Sequence, residues 1–197
     1  MASADLEHDD EHDHEHDEGD AERDAQIEAT RRVALAQIRQ YPDAVLRMRA
    51  NEVDRFDENL ARLAHGMSEL MRDARGVGLA ATQVGVLQRL FVFQPNVNDE
   101  VTAIVNPEIV ARSGELEVAD EGCLSLQGVH VPVERDTGVT LQGLDLEGNQ
   151  FRLELEELAA RVAQHELDHL DGLLIIERTD TESRRDALAT LRRPPSL

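Results

Sequence analysis

A chain of 197 residues that is 41% hydrophobic can bury one sizeable core and is short for two. Its formal charge of −21, from 41 acidic residues against 20 arginines and no lysine, argues against sequence-specific or broad nucleic-acid binding and excludes Schiff-base lysine chemistry. The single cysteine, Cys123, excludes an internal disulfide framework and suits a reducing cytoplasm; no apolar run reaches the roughly 20 residues of a membrane helix.

Charge is concentrated at the start. Residues 1–20 hold ten acidic side chains and no basic one, with His8, His12, His14 and His16 among them. Residues 1–24 are therefore expected to be a disordered acidic, His-rich tail, because nothing in them can be buried. The tail lacks the basic and apolar regions of a secretory signal and has the wrong sign for a transit peptide, which points to a cytoplasmic protein. Its mix of His and carboxylate can hold metal ions weakly, but a solvated extension is the preferred reading.

Residues 25–197 are expected to form a single catalytic domain. Helical periodicity begins near Gln26, with Ile27, Thr30, Val33, Ala34 and Ile38 on one face, and stops before Tyr41-Pro42. A loop over 42–46 leads to a second helix at about 56–74, with Leu60, Leu63, Ala64, Met67, Leu70 and Met71 as its buried stripe. His65 on that helix is incidental. Gly76-Val77-Gly78-Leu79-Ala80-Ala81-Thr82-Gln83 reads as a glycine-punctuated loop. Strands follow at 90–93 and at 102–105, the latter closed by Asn106-Pro107, and then at 115–119, 128–134, 138–144 and 150–155. A long helix runs to about Leu170, residues 173–176 are extended, and a short arginine-rich helix starts near Glu182. Helices outside a run of strands, without βαβ alternation, indicate an α+β domain.

The long helix carries the chemistry. At 100° per residue Leu155, Leu158, Val162, His165 and His169 fall within about 80° of one another, while Glu157, Arg161, Gln164, Asp168 and Asp171 take the opposite, solvated side. Two imidazoles one turn apart can share one divalent metal, and Glu166 lies at the edge of that face, placed to move protons. Such a metal needs a third ligand. No histidine follows His169, and Ile175 stands where a metzincin peptidase has its third His. Cys123, in Glu121-Gly122-Cys123-Leu124-Ser125, is a candidate, although a lone cysteine is more often a small buried hydrophobe. A carboxylate such as Glu121, two residues before a ligand, can orient the site or bond to an arginine, or be surface charge. On these residues alone, peptidase chemistry and a non-catalytic metal binder remain open.

Taken together, the segments from Gly76 to Gln83, Glu121 to Ser125, and Gln164-His165-Glu166-Leu167-Asp168-His169-Leu170-Asp171-Gly172 resemble, in order, the three signature segments of the peptide deformylases. Pro42-Asp43-Ala44-Val45-Leu46 and Asn106-Pro107-Glu108 are similar to further family segments, so the likeness runs from about Tyr41 to Ile176. The resemblance implies small antiparallel or mixed sheets around the metal helix, and removal of the formyl group from the formylmethionine of newly made polypeptides by metal-hydroxide hydrolysis, releasing formate. It implies Cys123, His165 and His169 as ligands of one divalent metal, Fe2+ above all, with Zn2+, Ni2+ or Co2+ able to replace it. Glu166 is then the proton carrier, and the Gln83 amide and the Leu124 N–H steady the oxyanion. Gly78 lets the substrate pair with the loop, and Val77, His130 and Val162 line the methionine pocket. For the arginine-rich C-terminal segment, with Arg178, Arg184, Arg185, Arg192 and Arg193, the resemblance implies a contact with the ribosome, and an ordinary exposed helix is the alternative. Three positions depart from the family pattern: Gln127 replaces a common proline, His130 a common arginine, and Glu157 a glycine that commonly opens the metal helix.

Overall fold

A computed structural model of the protein describes residues 12–96 and 98–192, with side chains from residue 22 onward. Among these residues the order is α1 (His12–Leu35), α2 (Glu58–Asp73), β1 (Gly78–Ala80), β2 (Leu90–Phe93), β3 (Thr102–Arg112), β4 (Leu116–Gly122), β5 (His130–Asp136), β6 (Gly138–Leu144), β7 (Gln150–Glu156), α3 (Glu157–Leu170) and α4 (Thr181–Leu191). The strands form a five-stranded antiparallel sheet in the order β1-β2-β3-β6-β7 and a separate antiparallel pair, β4-β5. This is the expected α+β arrangement.

Local chemistry explains the elements. Asp57 caps α2 by accepting from the Asn59 and Leu60 N–H groups, and Leu60, Ala64, Met67 and Met71 bury one stripe of it. β5 and β6 alternate buried and partly exposed positions, as strands with one face on a core should. α3 packs against β1, β2, β6 and β7 of the large sheet and against β5 of the small one. It is thus wedged between the two sheets, with the loop after β4 at its side.

Several boundaries differ from the sequence expectation. α1 begins at His12 rather than near Gln26; acidic residues at a helix N-terminus suit the macrodipole, which favours this extension. Ile27 and Val33 are exposed, and the anchoring residues are Ala34, Leu35 and Ile38 at and beyond the helix end. His8 and Arg193 lie outside the described residues. β3 does not close at Asn106-Pro107 but runs on to Arg112. It does so through an irregular register between Val105 and Glu108, with Asn106 at φ 49°; asparagine tolerates that conformation, and its side chain bonds both the N–H and the carbonyl of Val53. Ile175–Glu177 is a short 3-10 helix instead of an extended segment, with the Glu177 carboxylate accepting from the Leu174 N–H. β1 lies within the stretch expected to be a loop; three residues are too few to show a period.

Candidate active site

Three elements converge on one point. α3 presents His165 and His169, the loop after β4 presents Cys123, and the ligand atoms of all three lie within 4.8 Å of one another. Cys123 Sγ is 3.2 Å from His169 Nε2, close to the edge of about 3.5 Å expected for a tetrahedron with metal–ligand bonds of about 2.0–2.3 Å. The two imidazole rings stand edge to face, 4.9 Å apart. One thiol and two imidazoles, with a fourth direction open to a cavity, are a donor set suited to a single divalent transition metal.

The orientation of His165 is set by a buried ionic network. Its Nδ1 lies 2.9 Å from Glu121 Oε2, so its Nε2 is left for the metal side. Glu121 is also held bidentately by Arg135, at 3.0 Å twice, and by Arg161 at 3.0 Å. Arg135 reaches on to Asp168, 2.6 Å away, and Asp168 is gripped from its other side by Arg178. Asp168 and Gln164, placed on a solvated face by the helical wheel, are in fact buried. The reason is that α3 is covered on two sides, so its polar back faces β5 rather than water. Leu158 is the converse, half exposed because the face it shares with His165 opens onto the cavity.

Burial and charge set the protonation of these groups. Burial alone would raise Glu121, but hydrogen bonds from His165 and Arg135 overcome it and bring the carboxyl down to about 2. Burial, with the Glu121 charge adding to it, outweighs the attraction of His165 and Arg135 at Glu166, and its carboxyl is pushed up to about 7. Burial also opposes charge on His165, yet contacts with Cys123 and Glu121 hold it well above its usual range, while burial and the adjacent His165 push His169 well below.

The remaining predicted residues surround this point. Glu166 is buried, and its Oε2 has no hydrogen-bond partner among the described residues. An added Cβ on Gly78 would collide with Glu166 Oε1 and lie 2.9 Å from Val162 Cγ1, so only glycine lets β1 approach so closely. Gln83 is buried in the 3-10 turn Ala81–Val84; its Oε1 accepts from the Ala80 N–H at 2.8 Å, which turns Nε2 toward Ser125 Oγ at 3.2 Å and Cys123 Sγ at 3.8 Å. The Leu124 carbonyl accepts from Gln40, and its N–H has no acceptor among the described residues. Val77, Gly78, Gln83, Leu124, His130, Val162 and Glu166 all line one cavity of about 650 Å³ together with Cys123 and His165. His130 is exposed at its rim and sits over Gly122, where a Cβ would be 2.8 Å from its Nε2. His65, by contrast, is exposed on α2 beside Glu69.

Arg135, Arg161 and Arg178 give no local signal of a place in the site, since each bonds to a site residue across 10 to 40 positions of chain.

Comparisons with known proteins agree with this geometry. The family model for polypeptide deformylases matches residues 35–185. The peptide deformylase of Clostridium botulinum is 48% identical over 147 residues, covering 75% of this chain and 98% of that protein. The crystal structure of the Thermotoga maritima enzyme is 46% identical with a TM-score of 0.70, covering 73% of this chain and 96% of that one. A Legionella pneumophila peptide deformylase is 40% identical with a TM-score of 0.75, covering 80% and 98%. With these relatives, and with a metal-ligand cluster and a buried glutamate at the foot of one cavity, the chain belongs to the peptide deformylase family, metal-dependent hydrolases that remove the N-formyl group from newly made polypeptides.

Proposed function

We propose that Cys123, His165 and His169 hold one divalent ion, Fe2+ in the cell with Zn2+, Ni2+ or Co2+ as substitutes, and that Glu166 is the proton carrier. The observation that carries this reading is the thiol and two imidazoles meeting beside a buried glutamate with one oxygen unpartnered. When bound, the metal acidifies a water and polarises the formyl carbonyl.

The chain's own residues supply the rest. The formyl C–N bond must break, giving formate and an amine that gains a proton. Glu166 takes the proton from the attacking water and delivers it to the amine nitrogen, a task suited to a carboxyl poised near 7. Gln83 Nε2 and the Leu124 N–H donate to the oxygen that becomes negative, and the bond from Ala80 fixes the Gln83 amide in the donating orientation. Val77 and Gly78 hold the substrate backbone as an added strand, and Val162 and His130 border the methionine side chain. Residues 25–197 act as one catalytic domain in the cytoplasm. The arginines of α4 offer a ribosome contact, Arg184 and Arg185 being exposed there.

The test is formate release from formyl-Met-Ala-Ser by protein prepared without oxygen, alongside an unformylated longer peptide. Only the first should react; cleavage of the second would establish a peptidase instead. Glu166→Ala should keep the metal and lose about 10²–10⁴ in kcat, whereas Cys123→Ala should lose the metal. Full activity of the Glu166 variant overturns the assigned role.

A further inference from the structure

Two arginines on the cavity rim are not explained by the chemistry at its foot. Arg31, on α1, and Arg75, in the turn after α2, both line the cavity that ends at Glu166. Arg161, the third arginine of the lining, is already committed to Glu121 and to the carbonyls of Val133 and Glu117. Arg75 is different. Its side chain makes no hydrogen bond or ion pair among the described residues, in a chain where acidic residues outnumber basic ones two to one. Among the described residues Arg31 has only Glu28, 3.5 Å away and exposed.

Arg75 also stands in strained backbone. Its φ of 58° is in the left-handed region, at the end of α2, where glycine or asparagine costs least. A long cationic residue there is conformationally costly, and Arg75 is exposed and lines the cavity. Arg31 comes from outside the span of the family match, which begins at residue 35, so α1 adds a wall of this chain's own. Val77 and Leu158, both exposed, add apolar surface to the same lining.

We propose that Arg31 and Arg75 form a carboxylate-binding rim that selects formylated chains carrying an acidic group just downstream of the formylmethionine. This rests on the deformylase reading above, in which formylmethionine occupies the inner end and the following residues leave across the rim. The cavity, about 650 Å³, is larger than one residue requires, and both arginines line it. Either the side chain of Asp or Glu or the terminal carboxylate of a short peptide would satisfy them. Such a group lies away from the reacting carbon, so the rim acts on binding and its effect appears in KM rather than kcat.

The experiment compares kcat/KM of the full-length, metal-loaded enzyme on C-terminally amidated formyl-Met-Ala-Ser, on its analogues with Asp or Lys in place of Ser, and on the free-acid form. The Asp peptide should exceed the Lys peptide about tenfold through KM at low salt, and the gap should shrink in 0.5 M salt. Arg31→Gln with Arg75→Gln should bring the ratio to within about twofold, and Arg31→Glu should invert it. A response of the free-acid form alone assigns the rim to terminal carboxylates. An Asp preference that survives the double substitution overturns the proposal. So does a loss of stability with an unchanged ratio, which would mean that the guanidiniums merely neutralise the C-terminal ends of α1 and α2. Formate release from the neutral amide reports on the deformylase reading separately.

Discussion

Glu121 decides the site at the scale of a single residue. It accepts from two arginines and from His165 in a place where it is 5% exposed. Buried carboxylates survive only when their partners outweigh lost hydration, and here they bring the group from 4.5 down to about 2. A folded-state value below the unfolded one means that the stabilisation is complete above pH 4.5 and is lost as pH falls toward 2, on the order of 3 kcal/mol in all. Urea denaturation of wild type and Glu121→Gln across pH 7 to 2 should therefore show wild type ahead at neutral pH and the difference narrowing through the acid range. A constant difference would mean that the carboxylate charge is not what holds Arg135 and His165. Glu121 was legible in sequence only as a set of possibilities: surface charge, an orienting group, or the partner of an unnamed arginine. Nothing in the local pattern shows Arg135, fourteen residues away, or the burial that decides between them.

At the scale of elements, periodicity located what it depends on. α2, α3, α4 and β4 to β7 stand within a few residues of their expected bounds, because amphipathic spacing and strand alternation are local properties. The errors came where burial is not one-sided. The wheel of α3 assumes one wet face, but β5, Arg135 and Arg178 cover the back of the helix, so Gln164 and Asp168 are inside. β1 escaped because three residues, Gly78-Leu79-Ala80, are too few to show a period. The first residue of α3 gives this scale its prediction. Glu157 has φ 50° where the helix must turn out of β7, and its N–H is tied to the Thr137 carbonyl at 2.8 Å. Its side chain is exposed and has no bond to lose among the described residues. Glycine relieves the left-handed strain at the cost of its own chain entropy, whereas alanine relieves nothing. Glu157→Gly should therefore be more stable than Glu157→Ala by about 1 kcal/mol, or about 2–4 °C in Tm, by calorimetry. Equal Tm values would show that the turn is not strained.

For the whole molecule, the question is where the folded unit begins. Residues 1–24 carry twelve acidic side chains and one arginine, against a body whose own charge is already negative. α1 is long, but from Glu22 to Glu28 every described side chain is exposed, and its first core residues are Ala34 and Leu35. Helix without burial adds little stability, since propensity alone barely holds an isolated helix in water. Removing residues 1–24 should thus leave stability within about 0.5 kcal/mol and leave formate release intact, because Arg31, Leu35 and every residue of the cavity remain. It should also relieve some self-repulsion, so any small shift should be toward greater stability at low salt and vanish at high salt. The His-rich composition raises one competing role, supply of metal to Cys123, His165 and His169. Metal analysis of the full chain and the truncated one, each grown under limiting metal, separates the two. Equal occupancy fits a solvated extension; a depleted truncated form would mean that the tail feeds the site. A loss of more than about 1 kcal/mol on truncation would instead move the boundary of the domain back along α1.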